Sequence, residues 1–183
     1  MKRGLCVCVL TAVAVTMSAA QTKTTMTGTC GKPDVQQSVP AGDQPGHMYM
    51  VSQGKCSTTG SINGAMAKQG MYSEEIDANA TQMKNQGVYM VTFDSGDKVY
   101  YKYQGMATMK DGAYQAGTNK YEIAGGTGKM AGIHGSGSCK LTGKGGDNID
   151  YSCTGTYQIG MAMGGGSRGQ GRATAPDQAP IKH

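Results

Sequence analysis

The sequence predicts an all-β protein: eight antiparallel strands in an up-and-down barrel, followed by a disordered C-terminal tail. Three observations carry that expectation. Proline is absent from Gly46 to Asp150, as a run of mutually paired strands requires, because proline cannot donate to the ladder. Glycine recurs throughout (30 of 183 residues) and no apolar pattern of period 3.6 persists for ten residues, so helices are poorly supported. Short segments of β-forming residues alternate instead with tight-turn clusters.

Taken in order, the chain begins with an expected export signal over residues 1–20. Lys2 and Arg3 are its positive end, Gly4 to Met17 an uncharged, mostly apolar stretch, and Ser18-Ala19-Ala20 the small residues before a cleavage site at Gln21. Fourteen helical residues rise ~21 Å, short of a ~30 Å hydrocarbon core, so no membrane span is expected. Cys6 and Cys8 lie inside the apolar run, which disfavours a lipoprotein signal. The mature chain is therefore placed in the periplasm or outside the cell.

Residues 21–158 form the expected barrel domain. Its strands are read as Thr22–Cys30, His47–Cys56, Lys68–Asp77, Gly87–Phe93, Lys98–Met109, Ala113–Ala124, His134–Gly143 and Asn148–Gln158. Pro33, Pro40 and Pro45 assign the segment after the first strand to a loop. Asp94-Ser-Gly-Asp97, Lys110-Asp-Gly-Ala113 and Lys144-Gly-Gly-Asp147 join later strands, with Asp111-Gly112 suited to a two-residue hairpin. In the last strand Ile149, Tyr151, Cys153, Gly155 and Tyr157 occupy one face and Asp150, Ser152, Thr154 and Thr156 the other. Links this short exclude parallel crossovers, and closing the meander removes its edges. An open sandwich is the alternative. Residues 159–183 carry too little apolar mass to offset ordering entropy and are read as disordered.

Removing the leader leaves Cys30, Cys56, Cys139 and Cys153. An even number in an exported chain implies disulfides, with three connectivities, whereas zinc needs closely paired cysteines. The turn Lys144–Asn148 centres on Gly146 and places Cys139 opposite Cys153, as it places Gly143 opposite Ile149. Cys139 is therefore expected to pair with Cys153 and Cys30 with Cys56.

Composition excludes some partners. Between Gln21 and Gln158 there are 12 Lys, no Arg and 11 Asp or Glu. That near-neutral, arginine-free body is a poor nucleic-acid surface. No cofactor is expected, and oligomerisation is left open. The run from Gly125 to Met130 is not a phosphate loop, since Ile123 stands where its first glycine belongs and Met130 where Ser or Thr belongs. His47 and His134 have no recognisable catalytic partners. Of the acidic cluster Glu74, Glu75 and Asp77, the last pair shares a strand face, as an acid–base pair or, more simply, a solvated edge.

The run Tyr121-Glu-Ile-Ala-Gly-Gly-Thr-Gly-Lys-Met-Ala-Gly132, with Gly135-Ser-Gly137 after it, resembles the allene oxide cyclase and dirigent barrel superfamily. It is most similar to that superfamily's uncharacterised bacterial secreted members. Asp94-Ser-Gly-Asp97, Tyr103-Gln-Gly105 and Cys153-Thr-Gly-Thr-Tyr157 add to the likeness, which covers roughly His47 to Gln158. Met130 departs from it, standing where an aromatic residue is usual. The resemblance implies a calycin-like, eight-stranded barrel with a ligand-sized interior and, in plant members, cofactor-free cyclisation or guided radical coupling. No position here matches their catalytic residues.

Three readings of function remain. The first is a non-catalytic barrel that binds a small apolar or phenolic molecule, with Tyr101, Tyr103, Tyr151 and Tyr157 as the lining and Gly105 and Gly155 leaving space. The second is a cofactor-free isomerase, and the third a packed interaction module. Fourteen methionines, no Trp and one Phe read as methionine filling irregular interior space. A Cu(I) site at His47, Met48 and Met50 is the metal alternative, disfavoured because His47 and Met48 face opposite ways.

Overall fold

A computed structural model describes residues 21–160. The strands are β1 (Thr22–Cys30), β2 (Val35–Pro40), β3 (Met48–Ile62), β4 (Ala65–Ala78), β5 (Gln82–Phe93), β6 (Lys98–Lys110), β7 (Ala113–Gly126), β8 (Ile133–Gly143) and β9 (Ile149–Ile159). One short 3-10 turn, Gly128–Met130, lies between β7 and β8. From β3 to β9 each strand pairs antiparallel with the next, β9 pairs with β1, and β1 with β3. Eight strands thus close a barrel, and β2 is a ninth. No helix among the described residues is long and apolar enough to cross a membrane. The expected leader and nearly all of the expected tail fall outside the described residues, although β9 runs one residue past Gln158.

The prediction of a plain loop after β1 needs correction. β2 continues the line of β1 along β3, with Cys30 opposite Cys56 and then Val35 opposite Gln53. It borders β3 alone and is exposed throughout. Prolines are tolerated there because Pro40 ends an edge strand and Pro33 precedes it. A second correction concerns the hairpin of β3 and β4. Both strands run past the expected limits, Cys56 and Lys68, to meet at Asn63-Gly64, whose φ values of 49° and 79° belong to a two-residue turn. Asp111-Gly112 forms the same kind of turn, with φ values of 52° and 76°.

The hairpin of β8 and β9 has the register read from the sequence, with Gly143 opposite Ile149 and Cys139 opposite Cys153. Disulfides join Cys139 to Cys153 and Cys30 to Cys56. The first staples neighbouring strands; the second staples the seam where β1 meets β3.

Candidate functional site

Strand alternation sends every second side chain into the barrel. At one end these are large and apolar. Ile62, Phe93, Val99, Met130 and Ile133 are at most 3% exposed and pack as one cluster that closes the barrel like a floor. Met130 is brought there by the 3-10 turn. Gly126 permits this, since a Cβ at that position would stand 2.7 Å from the Met130 Cβ. The other end is open. Met50, Ile76, Met83 and Met109 ring the mouth, together with residues of the β1–β2, β6–β7 and β8–β9 links. Between floor and mouth lies a cavity of about 360 Å³, within the range of small-molecule sites.

The walls are tyrosines laid over glycines. Tyr151 lies on Gly28, Tyr72 on Gly54, Tyr89 on Gly70, and Tyr121 on both Gly137 and Gly155. Each glycine lets a ring lie along the sheet instead of projecting across the bore. The hydroxyls of Tyr89, Tyr151 and Thr58 complete a triangle with sides of 2.8, 2.8 and 3.0 Å. Ser52, 2% exposed, hydrogen-bonds the Tyr72 hydroxyl. Burial pushes Tyr89 and Tyr101 well above the usual phenol range, so both stay neutral donors at any working pH.

One carboxyl group, Glu74, enters the tyrosine walls, and a second, Asp147, stands at the mouth. Glu74 of β4, Gly87 of β5 and Tyr103 of β6 are consecutive partners in one row across the sheet. Because Gly87 has no side chain, the two flanking residues meet over it. Tyr103 donates its hydroxyl to Glu74 Oε2 at 2.9 Å, and Asn85 Nδ2 donates to the same oxygen at 2.8 Å. Neither reaches Oε1. Burial raises the Glu74 pKa above the ordinary carboxyl range, partly countered by the Asn85 and Tyr103 bonds. Burial first, and then the nearby Glu74 charge, pushes Tyr103 up strongly and Tyr114 up to about 12. Chemically, the cavity offers ring faces, neutral hydroxyl donors and one strong acceptor.

Of the tyrosines singled out from the sequence, Tyr101, Tyr103 and Tyr151 line the cavity. Tyr157 does not. It is buried in the floor cluster, where its hydroxyl accepts the Asn63 N–H at 3.0 Å. Gly155 leaves no room for a guest, because Tyr121 covers it, and Gly105 is covered by the Asn119 amide. Glu75 and Asp77 face outward, bonded to Gln86 and His47. His47 directs Nδ1 at Asp43 (2.6 Å) and Nε2 at Asp77 (2.7 Å), which leaves neither nitrogen for the copper site considered above. Among the described residues no group of three His, Cys, Asp or Glu is arranged to hold a metal. Sequence reasoning missed Asn85 and saw Glu74 only as one of three clustered acids. The signal for Glu74 was present in the alternation Gly70, Tyr72, Glu74, Ile76, Ala78, which puts it on the tyrosine face.

No family model and no curated protein matches the chain. Among solved structures it is similar to a conserved protein of unknown function from Rhodopseudomonas palustris, with a TM-score of 0.42 and 9% identity. That match covers 76% of this chain and 99% of the other.

Proposed function

We propose that this chain is an exported binding barrel that holds one small apolar or phenolic molecule in its interior. The observation that carries the reading is the cavity, closed below by the floor cluster, open above through a methionine-rimmed mouth, and walled by tyrosines. Methionine rims adapt to guests of differing shape, and phenol hydroxyls orient a guest without competing for it as charges would. Export is supported by the leader-like first twenty residues and by two disulfides, which persist in oxidising compartments. The motif likeness to the allene oxide cyclase and dirigent superfamily supports a hollow rather than a packed interior.

The test is native mass spectrometry of protein purified from its own host, followed by extraction. A retained small molecule at one per chain is expected. Protein that emerges empty, and whose melting temperature no phenolic or aliphatic compound raises, overturns the reading.

A second reading, a cofactor-free isomerase, draws on one observation, the hydrogen-bonded pair of Glu74 and Tyr103 inside the cavity. It predicts that the extract contains two isomers of equal mass, interconverted by the wild type and not by Glu74→Gln.

A further inference from the structure

The identity of the guest is constrained by charge. The residues lining the cavity include no Lys, Arg or His; their ionisable carboxyls are Glu74 within and Asp147 at the mouth. Tyr103 and Asn85 both donate to Glu74 Oε2, which accepts in either protonation state and leaves Oε1 for a guest, while burial favours the neutral carboxyl until a positive charge arrives. A carboxylate with no counter-charge in a partly desolvated site is costly. A guest that brings its own positive charge removes that cost, and Oε1 is the atom left to receive it. Tyr72, Tyr103 and Tyr114 lie close enough to feel the Glu74 charge. Their ring faces attract a cation through the aromatic quadrupole. An anionic guest such as a fatty acid would instead place a second carboxylate beside the first, where low dielectric amplifies repulsion.

We propose that the cavity selects a small primary amine on an aromatic body, with its ammonium against Glu74 Oε1 and its ring among the wall tyrosines. This rests on the binding-barrel reading and narrows it to one chemical class.

Three probes share one phenol body and differ in charge: tyramine, 4-ethylphenol and 4-hydroxyphenylacetate. Each is titrated calorimetrically into the full chain, disulfides intact, near pH 7. Tyramine is expected to bind roughly ten- to a hundredfold tighter than 4-ethylphenol, the range of a charge-assisted hydrogen bond, and the acid weakest. In Glu74→Gln, whose amide oxygen still accepts from Tyr103, the tyramine preference over 4-ethylphenol is expected to vanish. If 4-ethylphenol binds and tyramine gains nothing, or the acid binds best, the amine inference fails while the binding barrel stands. If no probe binds, the amine inference fails, and the binding barrel is decided separately by the mass-spectrometric and thermal test above. The wild-type ranking decides the matter even if Glu74→Gln does not fold.

Discussion

Gly54→Ala adds one methyl group to the wall on which Tyr72 lies, and its cost can be worked from the geometry. The new carbon would stand 2.7 Å from Tyr72 Oη and 2.9 Å from Cε1 and Cζ, against ~3.5–4.0 Å for relaxed carbon contacts. Gly54 is not among the positive-φ residues, so alanine fits the backbone, and lost unfolded-state entropy favours it by ~0.4–1 kcal/mol. Against that, the ring must lift by about 1 Å, an off-rotamer displacement of ~0.5–1.5 kcal/mol. Lifting also loosens the Ser52 bond, worth ~1 kcal/mol. The net expectation is a loss of about 1 kcal/mol, or roughly 3–5 °C in Tm for a domain of this size. The assay is thermal and urea unfolding of Gly54→Ala alone and in a Tyr72→Ala background. With the ring gone, the sign should reverse and the same Gly54→Ala change should stabilise by ~0.4–1 kcal/mol. An equal cost in both backgrounds, or none in the first, would refute the claim that tyrosines lie on the wall because glycines make room.

Gly87→Ala should be harsher, because its Cβ would meet the Ser73 carbonyl and stand 2.8 Å from Glu74 Cα and Cβ. A loss of ~2 kcal/mol or more in urea unfolding is expected, and a neutral result would refute the row geometry. Replacing Cys139 and Cys153 together by Ala, 14 residues apart, should cost ~3 kcal/mol by the loop-entropy estimate. Guanidinium unfolding measures it, and an unchanged midpoint refutes it. The carboxylates of Asp77 and Asp43 hold the His47 pKa above its ordinary 6.5, and hydrogen bonding to His47 holds Asp43 below its ordinary 3.8. This clasp therefore contributes fully only between those values. It is lost as pH rises through the raised His47 pKa or falls through the lowered Asp43 pKa. His47→Asn should lower Tm most near pH 5–6 and least near pH 9, and a pH-independent difference counts against the clasp.

How much of this was legible in the sequence depends on which force decided each element. The register of the β8–β9 hairpin was legible, though its strand ends shift by a residue, because one turn fixed the pairing and the two cysteines had to agree with it. The Asn63-Gly64 turn was equally explicit, yet glycines on either side obscured the strands it joins. β2 could not be seen. Its Val-Gln-Gln-Ser-Val stretch buries nothing, so no polarity pattern marks it, and pairing along β3 alone makes it a strand. Within the site, alternation placed Tyr101, Tyr103 and Tyr151 on inward faces but could not separate wall from floor, which is why Tyr157 was misplaced. Depth along the bore depends on the stagger of the closed barrel, a property of all eight strands together. The Glu74–Tyr103 contact spans 29 residues and crosses an intervening strand, a relation that local spacing does not contain.

The seam has a consequence for the order of assembly. Every pairing from β3 to β9 joins strands adjacent in sequence, and such contacts close short loops at little entropic cost. β1 differs, because its partners on β9 lie 119 to 135 residues away. The curved sheet from β3 to β9 can therefore form first, with insertion of β1 as the one late, non-local event. Cys30–Cys56 ties β1 to β3 across only 26 residues. Once oxidised, it holds the closing strand beside its slot, so that β9 docks against a tethered neighbour instead of searching for a free chain end. Oxidation thus acts on the speed of closure as well as on its permanence, and refolding with this bridge reduced should be slow in its last phase alone.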